Sequence, residues 1–225
     1  MSSVARTNLL LSALPKRERL DVLALCEVVQ LTFGTVLCEP RRPYLHAHFP
    51  LTGLISLVAG VDGEPAVELT MIGREGMLGA SLLLSVDEAP QRAIVQAAGT
   101  SLRLEAAALR RMLPESPALS RRIGRYLHEQ LIELAQTAAC MQFHPVEARL
   151  ARWLLMTQDR VPGDRLQLTH QFLADMLGVR RSAVTIASGA LKHRGLIEYS
   201  RGEIRVLDRS GLERAACGCY GMRHA

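Results

Sequence analysis

The chain has 225 residues, 48% of them hydrophobic and 22% charged, enough for one large or two smaller packed domains. Its net charge of +5 is uneven: residues 1–144 hold 14 Lys/Arg against 14 Asp/Glu, and residues 145–225 hold 13 against 8. All the excess positive charge lies in the C-terminal part, so a polyanionic partner is expected there. No secretory or membrane segment is visible, and five cysteines at irregular spacing do not suggest a disulfide framework, so a cytoplasmic protein without a membrane partner is expected.

Asn8–Leu25 reads as helical, punctuated by Pro15. From Glu27 to Leu104, short runs rich in Val, Leu, Ile and Thr alternate with Gly, Pro and Asp. The predicted strands are Val28–Thr32, Tyr44–Phe49, Leu54–Val58, Ala66–Met71, Met77–Leu84, Ile94–Ala97 and Ser101–Leu104. Many short strands at this spacing indicate a β-sandwich, jelly roll or barrel. A long helix follows, with Pro117 suited to its first turn and no further proline before Pro145. Ile123, Leu127, Leu131, Leu134, Ala138 and Met141 recur along it at steps of four and three, a coiled-coil-like stripe. Such a stripe fits either burial against its own domain or a dimer seam. The seam is preferred, because a helix joining two domains has little of its own chain to bury against. His144–Pro145 makes a joint, since the residue before proline leaves helical geometry, and Val146–Gln158 starts another helix.

Leu168–Asp208 is the most specific segment. Thr169 is placed as an N-cap, and Phe172, Leu173, Met176 and Leu177 recur at helical spacing. Gly178 ends this helix. A second helix begins near Arg180–Ser182, with Val184, Ala187 and Leu191 as its buried stripe. Arg181, Thr185, Ser188 and Lys192 form a polar face. Gly195 ends the helix, and Ile197–Tyr199 and Ile204–Val206 flank a hairpin turn at Ser200–Arg201–Gly202. Helix, tight turn, helix and hairpin make a winged helix-turn-helix, which places its second helix in the DNA major groove. The expected DNA contacts are Arg180, Arg181, Ser182, Thr185, Ser188 and Lys192, with Arg201 tracking a phosphate from the wing.

The segments LADMLGVRRSAVTIASGALKHRGLIEYSRGEIRVLD (173–208), FGTVLCEP (33–40) and the FP-x-x-G-x-I-S pattern at Phe49–Ser56 resemble the cyclic-AMP receptor and Fnr (Crp/Fnr) family of bacterial transcription regulators. The resemblance implies an α+β fold: an N-terminal double-stranded β-helix (a jelly roll like cyclic-nucleotide-binding domains) over 1–115, a dimerisation helix over 116–144 and a C-terminal winged helix-turn-helix over 145–225. It implies a homodimer on inverted-repeat double-stranded DNA, and RNA polymerase as a further partner where the output is activation. Arg181 matches a family arginine that reads a base edge, and a guanidinium can bond guanine O6 and N7 together. Ser182 stands where the family often has glutamate, and Ile186 where it often has arginine. In the effector region Ala80 stands in place of the ribose-binding glutamate, and Gln91–Arg92–Ala93 in place of an Arg-Ser pair. Glu75, Gly79 and Arg92 are the candidate effector residues, and cyclic AMP is not the expected effector. No cysteine precedes Cys26, so the iron–sulfur cluster of some members is not expected.

Two other constellations bear on chemistry. His46 and His48 point to one side of a predicted strand, a feature similar to cupin metal sites, but no carboxylate follows and the rest of the β-region has no histidine. Cys217 and Cys219 are two apart near the C-terminus, with no histidine pair or second cysteine pair beside them in sequence, although His224 is near. Cys140 lies where it could meet its dimer mate. No metal site, cofactor or catalytic residue is expected. There is no nucleophile elbow, P-loop or dinucleotide fingerprint, so an enzyme is not expected. The rival reading is a cupin-like metalloenzyme, or a redox or metal sensor, carrying a DNA-binding appendage.

Overall fold

The structure is a computed structural model that describes residues 7–60, 66–161, 163–200 and 202–221. The chain divides into two compact units: Met1–Leu57 with Met71–Ile132, and Val58–Thr70 with Glu133–Ala225. Among the described residues, no helix is long and apolar enough to cross a membrane.

The first unit opens with two short helices, α1 (Leu9–Ser12) and α2 (Lys16–Ala24). Asn8 caps α1, accepting from Leu11 N, and its side-chain amide donates to the carbonyls of Pro50 (3.1 Å) and Gly76 (2.9 Å). The N-terminal strands are β1 (Glu27–Leu31), β2 (Val36–Cys38), β3 (His46–Pro50), β4 (Leu54–Ala59), β5 (Val67–Ile72), β6 (Arg92–Ala97) and β7 (Gly99–Glu105), of which the end of β4 and the start of β5, within Val58–Thr70, count with the second unit. They form two sheets, ordered β1-β7-β3 and β2-β6-β4-β5. β7 pairs antiparallel with both neighbours, setting Val29 opposite Ser101 and Phe49 opposite Leu102. Leu31, Ile55, Ile72, Leu78, Ala93 and Val95 form one buried cluster.

One expectation fails here for a local reason, and two short elements lie outside the predicted ones. Met77–Leu84 is not a strand: Leu78 bridges only to His48, and Ala80–Leu84 winds into a 3-10 turn. Gly79 (φ 89°) and Ser85 (φ 59°) bracket that turn in left-handed backbone, which ends extended structure on both sides. The strand Val36–Cys38 and the helix α3 (Ala106–Met112) are too short to announce themselves by periodicity.

α4 runs from Pro117 to Phe143. Its start is fixed by α2: Glu18 Oε2 accepts from the amides of Ala118 and Leu119, both at 3.1 Å. A carboxylate on free N-terminal amides satisfies donors and complements the helix dipole. Leu119, Ile123 and Tyr126 then bury into a cluster with Leu10, Val22, Phe49, Leu104 and Leu109. Gly76 lies directly under the Tyr126 ring, where any Cβ would collide. Ile123 is therefore a core residue of this unit and not part of a dimer seam, and Leu127 packs half-buried against the same cluster. The stripe begins as an intramolecular contact and becomes exposed only from Leu131, which is 64% exposed.

The second unit contains α5 (Val146–Gln158), β8 (Arg165–Gln167), α6 (His170–Leu177), α7 (Arg181–His193), β9 (Ile197–Ser200), β10 (Glu203–Val206) and α8 (Arg209–Ala215). α5 packs against α7, α8 and α6, burying Leu150, Leu154 and Leu155. β8 lies outside the predicted elements; it widens the wing to a sheet ordered β8-β10-β9. α8 is a further addition; Asp208 caps it, accepting from Gly211 N at 2.9 Å. Trp153 Nε1 donates to Glu68 Oε1 at 2.8 Å within this unit.

Ile123→Ala is expected to destabilise the protein by about 2–5 kcal/mol in denaturant unfolding, the cost of a buried cavity. His48 supplies a pH effect. It is 6% exposed with Nδ1 unpartnered, and burial, reinforced by His46 and Arg103, lowers its pKa to about 4. The unfolded chain takes up this proton near pH 6.5, before the folded one does. This contribution is therefore intact above about pH 6.5 and is lost as pH falls, reaching about 3 kcal/mol by pH 4. Unfolding of His48→Gln across that range is expected to show a shallower loss than wild type.

Candidate nucleic-acid interface

The second unit builds its helix pair as the sequence indicates. Thr169 Oγ1 accepts from Phe172 N at 3.1 Å and caps α6. Gly178 ends it in left-handed backbone (φ 62°), and Val179 N closes back on Ala174 O at 3.0 Å. Arg180 is the extended residue before α7, and its side chain makes no capping bond. Val184, Ala187 and Leu191 are buried. Arg180, Arg181, Ser182, Thr185, Ile186, Gly189 and Lys192 are exposed.

Ser188 departs from expectation. It is 3% exposed, and its Oγ has no hydrogen-bond partner. It follows Val184 by four positions and precedes Leu191 by three, which places it in the buried stripe. The outward face is instead centred on Ser182, Ile186 and Gly189. Ile186 is 74% exposed, and nothing lies within 4 Å of where a Gly189 Cβ would stand. An exposed mid-helix glycine costs about 1 kcal/mol against alanine, and it lets another surface approach the helix backbone closely. A search for polar residues passes over both, because neither is polar.

His170 braces this face from α6. Its ring stacks on Tyr199 of β9 (4.2 Å between centroids, 17° between planes), and its Nδ1 lies 3.1 Å from Thr185 Oγ1. Thr185 Oγ1 donates to Arg181 O at 3.1 Å, so its one hydrogen is committed and His170 Nδ1 is the donor to it. Burial and the Arg181 charge both lower the His170 pKa. In the wing, Gly202 (φ 80°) makes the turn and Arg205 pairs with Asp164 at 2.8 Å. Arg201 and His224 lie outside the described residues.

Residues 148–215 match the model of the Crp-like helix-turn-helix domain. The chain is 28% identical over 200 residues to the transcriptional regulator SdrP of Thermus thermophilus, covering 84% of this chain and 94% of that one. It is 25% identical over 155 residues to a CRP-like cAMP-activated global transcriptional regulator of Mycobacterium tuberculosis, covering 66% and 69%. The structure also resembles that of a CRP/FNR-family transcriptional regulator from Thermus thermophilus, with TM-score 0.68 at 24% identity over 84% of this chain and 98% of that one. Residues 148–215 thus form a Crp-like helix-turn-helix domain, and the chain as a whole is similar to Crp/Fnr regulators. It is a transcription regulator with a C-terminal helix-turn-helix DNA-binding domain.

The candidate effector residues each have a local engagement. Glu75 Oε1 accepts from Gly73 N at 3.2 Å, closing its own turn. Gly79 serves as the left-handed start of the 3-10 turn. Arg92 faces Glu39, donating to Oε1 through Nε (3.2 Å) and Nη2 (2.8 Å), with both side chains about half exposed. The guanidinium is thus held by a carboxylate on the exterior of β2 and β6. His46 and His48 stand edge to face at 6.3 Å. Among the described residues, one group of three or more potential metal ligands occurs, and it does not include them: Cys140, His144, Cys217 and Cys219.

Arg181→Ala is expected to weaken specific DNA binding by about 1–3 kcal/mol and relax preference at one base pair per half-site. Ser188→Ala, in contrast, is expected to raise thermal stability by about 1 kcal/mol, because it removes an unsatisfied buried hydroxyl. DNA titrations and melting curves of the two variants separate these roles.

Proposed function

We propose that the protein is a homodimer that reads an inverted-repeat operator through two copies of α7, under a signal received by its β-rich unit. The exposed face of α7 carries this reading. Arg181 offers two parallel donors for guanine, Ile186 an apolar group suited to a thymine methyl, and Gly189 room for the groove wall. Arg180 and Lys192 flank that face as phosphate ligands. Arg201, outside the described residues, is a further candidate phosphate ligand by its sequence position alone. Localised charge supports it, since the +5 excess lies in residues 145–225.

A second copy supplies the missing cover for α4. Leu131, Ile132 and Phe143 are 64%, 49% and 78% exposed, and Ala135, Ala138 and Ala139 are exposed beside them. Apolar groups repeated along one helix at steps of three and four suit a partner helix. Leu134 and Met141 are half-buried at the margin of this seam. The signal is not cyclic AMP. Ala80 provides no carboxylate for a ribose, and Arg92 is engaged by Glu39. The protein works in the cytoplasm as a regulator and not as an enzyme, and RNA polymerase is its further partner where it activates.

The test is selection of bound DNA from a random pool, followed by footprinting. The expected result is an inverted repeat with half-site centres about 10 base pairs apart. Affinity should fall with salt at a log–log slope of about −0.9 per phosphate neutralised. Cyclic AMP should leave that affinity unchanged, and Leu131→Asp should yield monomers by light scattering. A footprint without dyad symmetry, or a monomeric wild type, overturns the reading.

A further inference from the structure

Four side chains with soft or borderline donor atoms converge in the second unit, away from α7's exposed face. Cys140 lies in the last turn of α4, and His144 stands at the joint just beyond it. Cys217 and Cys219 come from the turn that follows α8. Cys140 Sγ is 3.5 Å from Cys217 Sγ, and Cys219 Sγ is 3.5 Å from His144 Nδ1. All four donor atoms lie within 4.8 Å of one another. The three cysteines are buried and unbonded, and they form a small cluster of their own with Ala148.

We propose that Cys140, His144, Cys217 and Cys219 form a tetrahedral site for a divalent metal of the zinc class. A three-cysteine, one-histidine set is a closed structural zinc shell. With Zn–S near 2.3 Å, the sulfur–sulfur edges of such a tetrahedron are about 3.8 Å, so the 3.5 Å thiol pair opens slightly and the wider separations, all within 4.8 Å, close by at most about 1 Å. Gln136 Nε2 donates to Cys219 Sγ at 2.8 Å, an outer contact of the kind that orients a thiolate ligand. Three thiolates and a divalent ion leave a charge of −1. Two guanidinium groups on α5 meet it: Arg149 is 9% exposed and interacts with Cys140 and Cys217, and Arg152 interacts with Cys140. Arg152 Nε is buried without a hydrogen-bond partner, a cation placed for an anionic neighbour. A Cys140–Cys217 disulfide would use two of these groups and leave Cys219, His144 and Gln136 without a role. A bound ion would tie the end of α4 to the segment after α8, across the His144–Pro145 joint.

The assignment is independent of the operator reading and is tested without DNA. The whole protein, reduced and stripped with chelator, is titrated anaerobically with Co2+ and then Zn2+. One Co2+ per chain is expected, with the visible bands of tetrahedral coordination and a thiolate-to-cobalt charge-transfer band, all displaced by one Zn2+. Cys219→Ser should cut the charge-transfer intensity by about a third, as one of three thiolates is lost. His144→Ala should weaken Zn2+ binding by more than about tenfold. Cys26→Ser with Cys38→Ser should change nothing. Absence of a tetrahedral cobalt spectrum in the wild type overturns the proposal on its own, whatever the variants do. A spectrum unchanged in Cys219→Ser, or a Cys140–Cys217 disulfide that forms in air at equal rate with and without Zn2+, also overturns it.

Discussion

The geometry of the DNA-binding unit depends on one packing contact, α7 against α5. Val184, Ala187 and Leu191 are committed to that contact, each at most 4% exposed. Burying valine and leucine side chains contributes roughly 1.5–3 kcal/mol apiece, far more than any single surface ion pair. Once that stripe is buried, the 3.6-residue period leaves no freedom about what faces outward. Ser182, Ile186 and Gly189 must project, with Arg181, Thr185 and Lys192 beside them. The direction in which this face points therefore rests on an apolar contact inside the unit. The capping of α6 by Thr169 and the brace from His170 adjust this arrangement but do not create it.

α4 shows the same logic in a single helix with two environments. Its first turns are captured by their own unit through Glu18, Gly76 and the burial of Leu119, Ile123 and Tyr126. Past Ile132 the helix belongs to the second unit, and Cys140 is buried near its end. Between these anchors lie the exposed apolar side chains of Leu131 and Ile132.

The helix pair was legible because each of its limits is marked by a residue with a distinct physical role. Thr169 marks a cap, Gly178 a left-handed stop, and Gly195 another, at φ 69°. Faces were less legible than elements. Ser188 lies seven positions from Arg181, only about 20° short of two full helical turns. Periodicity puts both on one side, and only the packing of α5 shows that the boundary between core and solvent passes between them. Ile123 fell to the same ambiguity, since a coiled-coil stripe and a core stripe share their spacing. Of the cysteine cluster, only the Cys217–Cys219 pair was legible, not its meeting with Cys140 and His144. Cys140 and Cys217 are 77 positions apart, and no local pattern reports that α8 turns back toward the end of α4.

Ile186 has a consequence in a different physical quantity. At 74% exposure it leaves a branched hydrocarbon in water on a face otherwise lined by polar atoms and glycine. The free protein bears the hydration of that surface, and removing it from water changes heat capacity more than it changes enthalpy near room temperature. Association through a purely ionic face carries little such signature. A face with isoleucine near its centre adds a negative heat-capacity increment, so the temperature dependence of its binding becomes curved even where salt controls its strength.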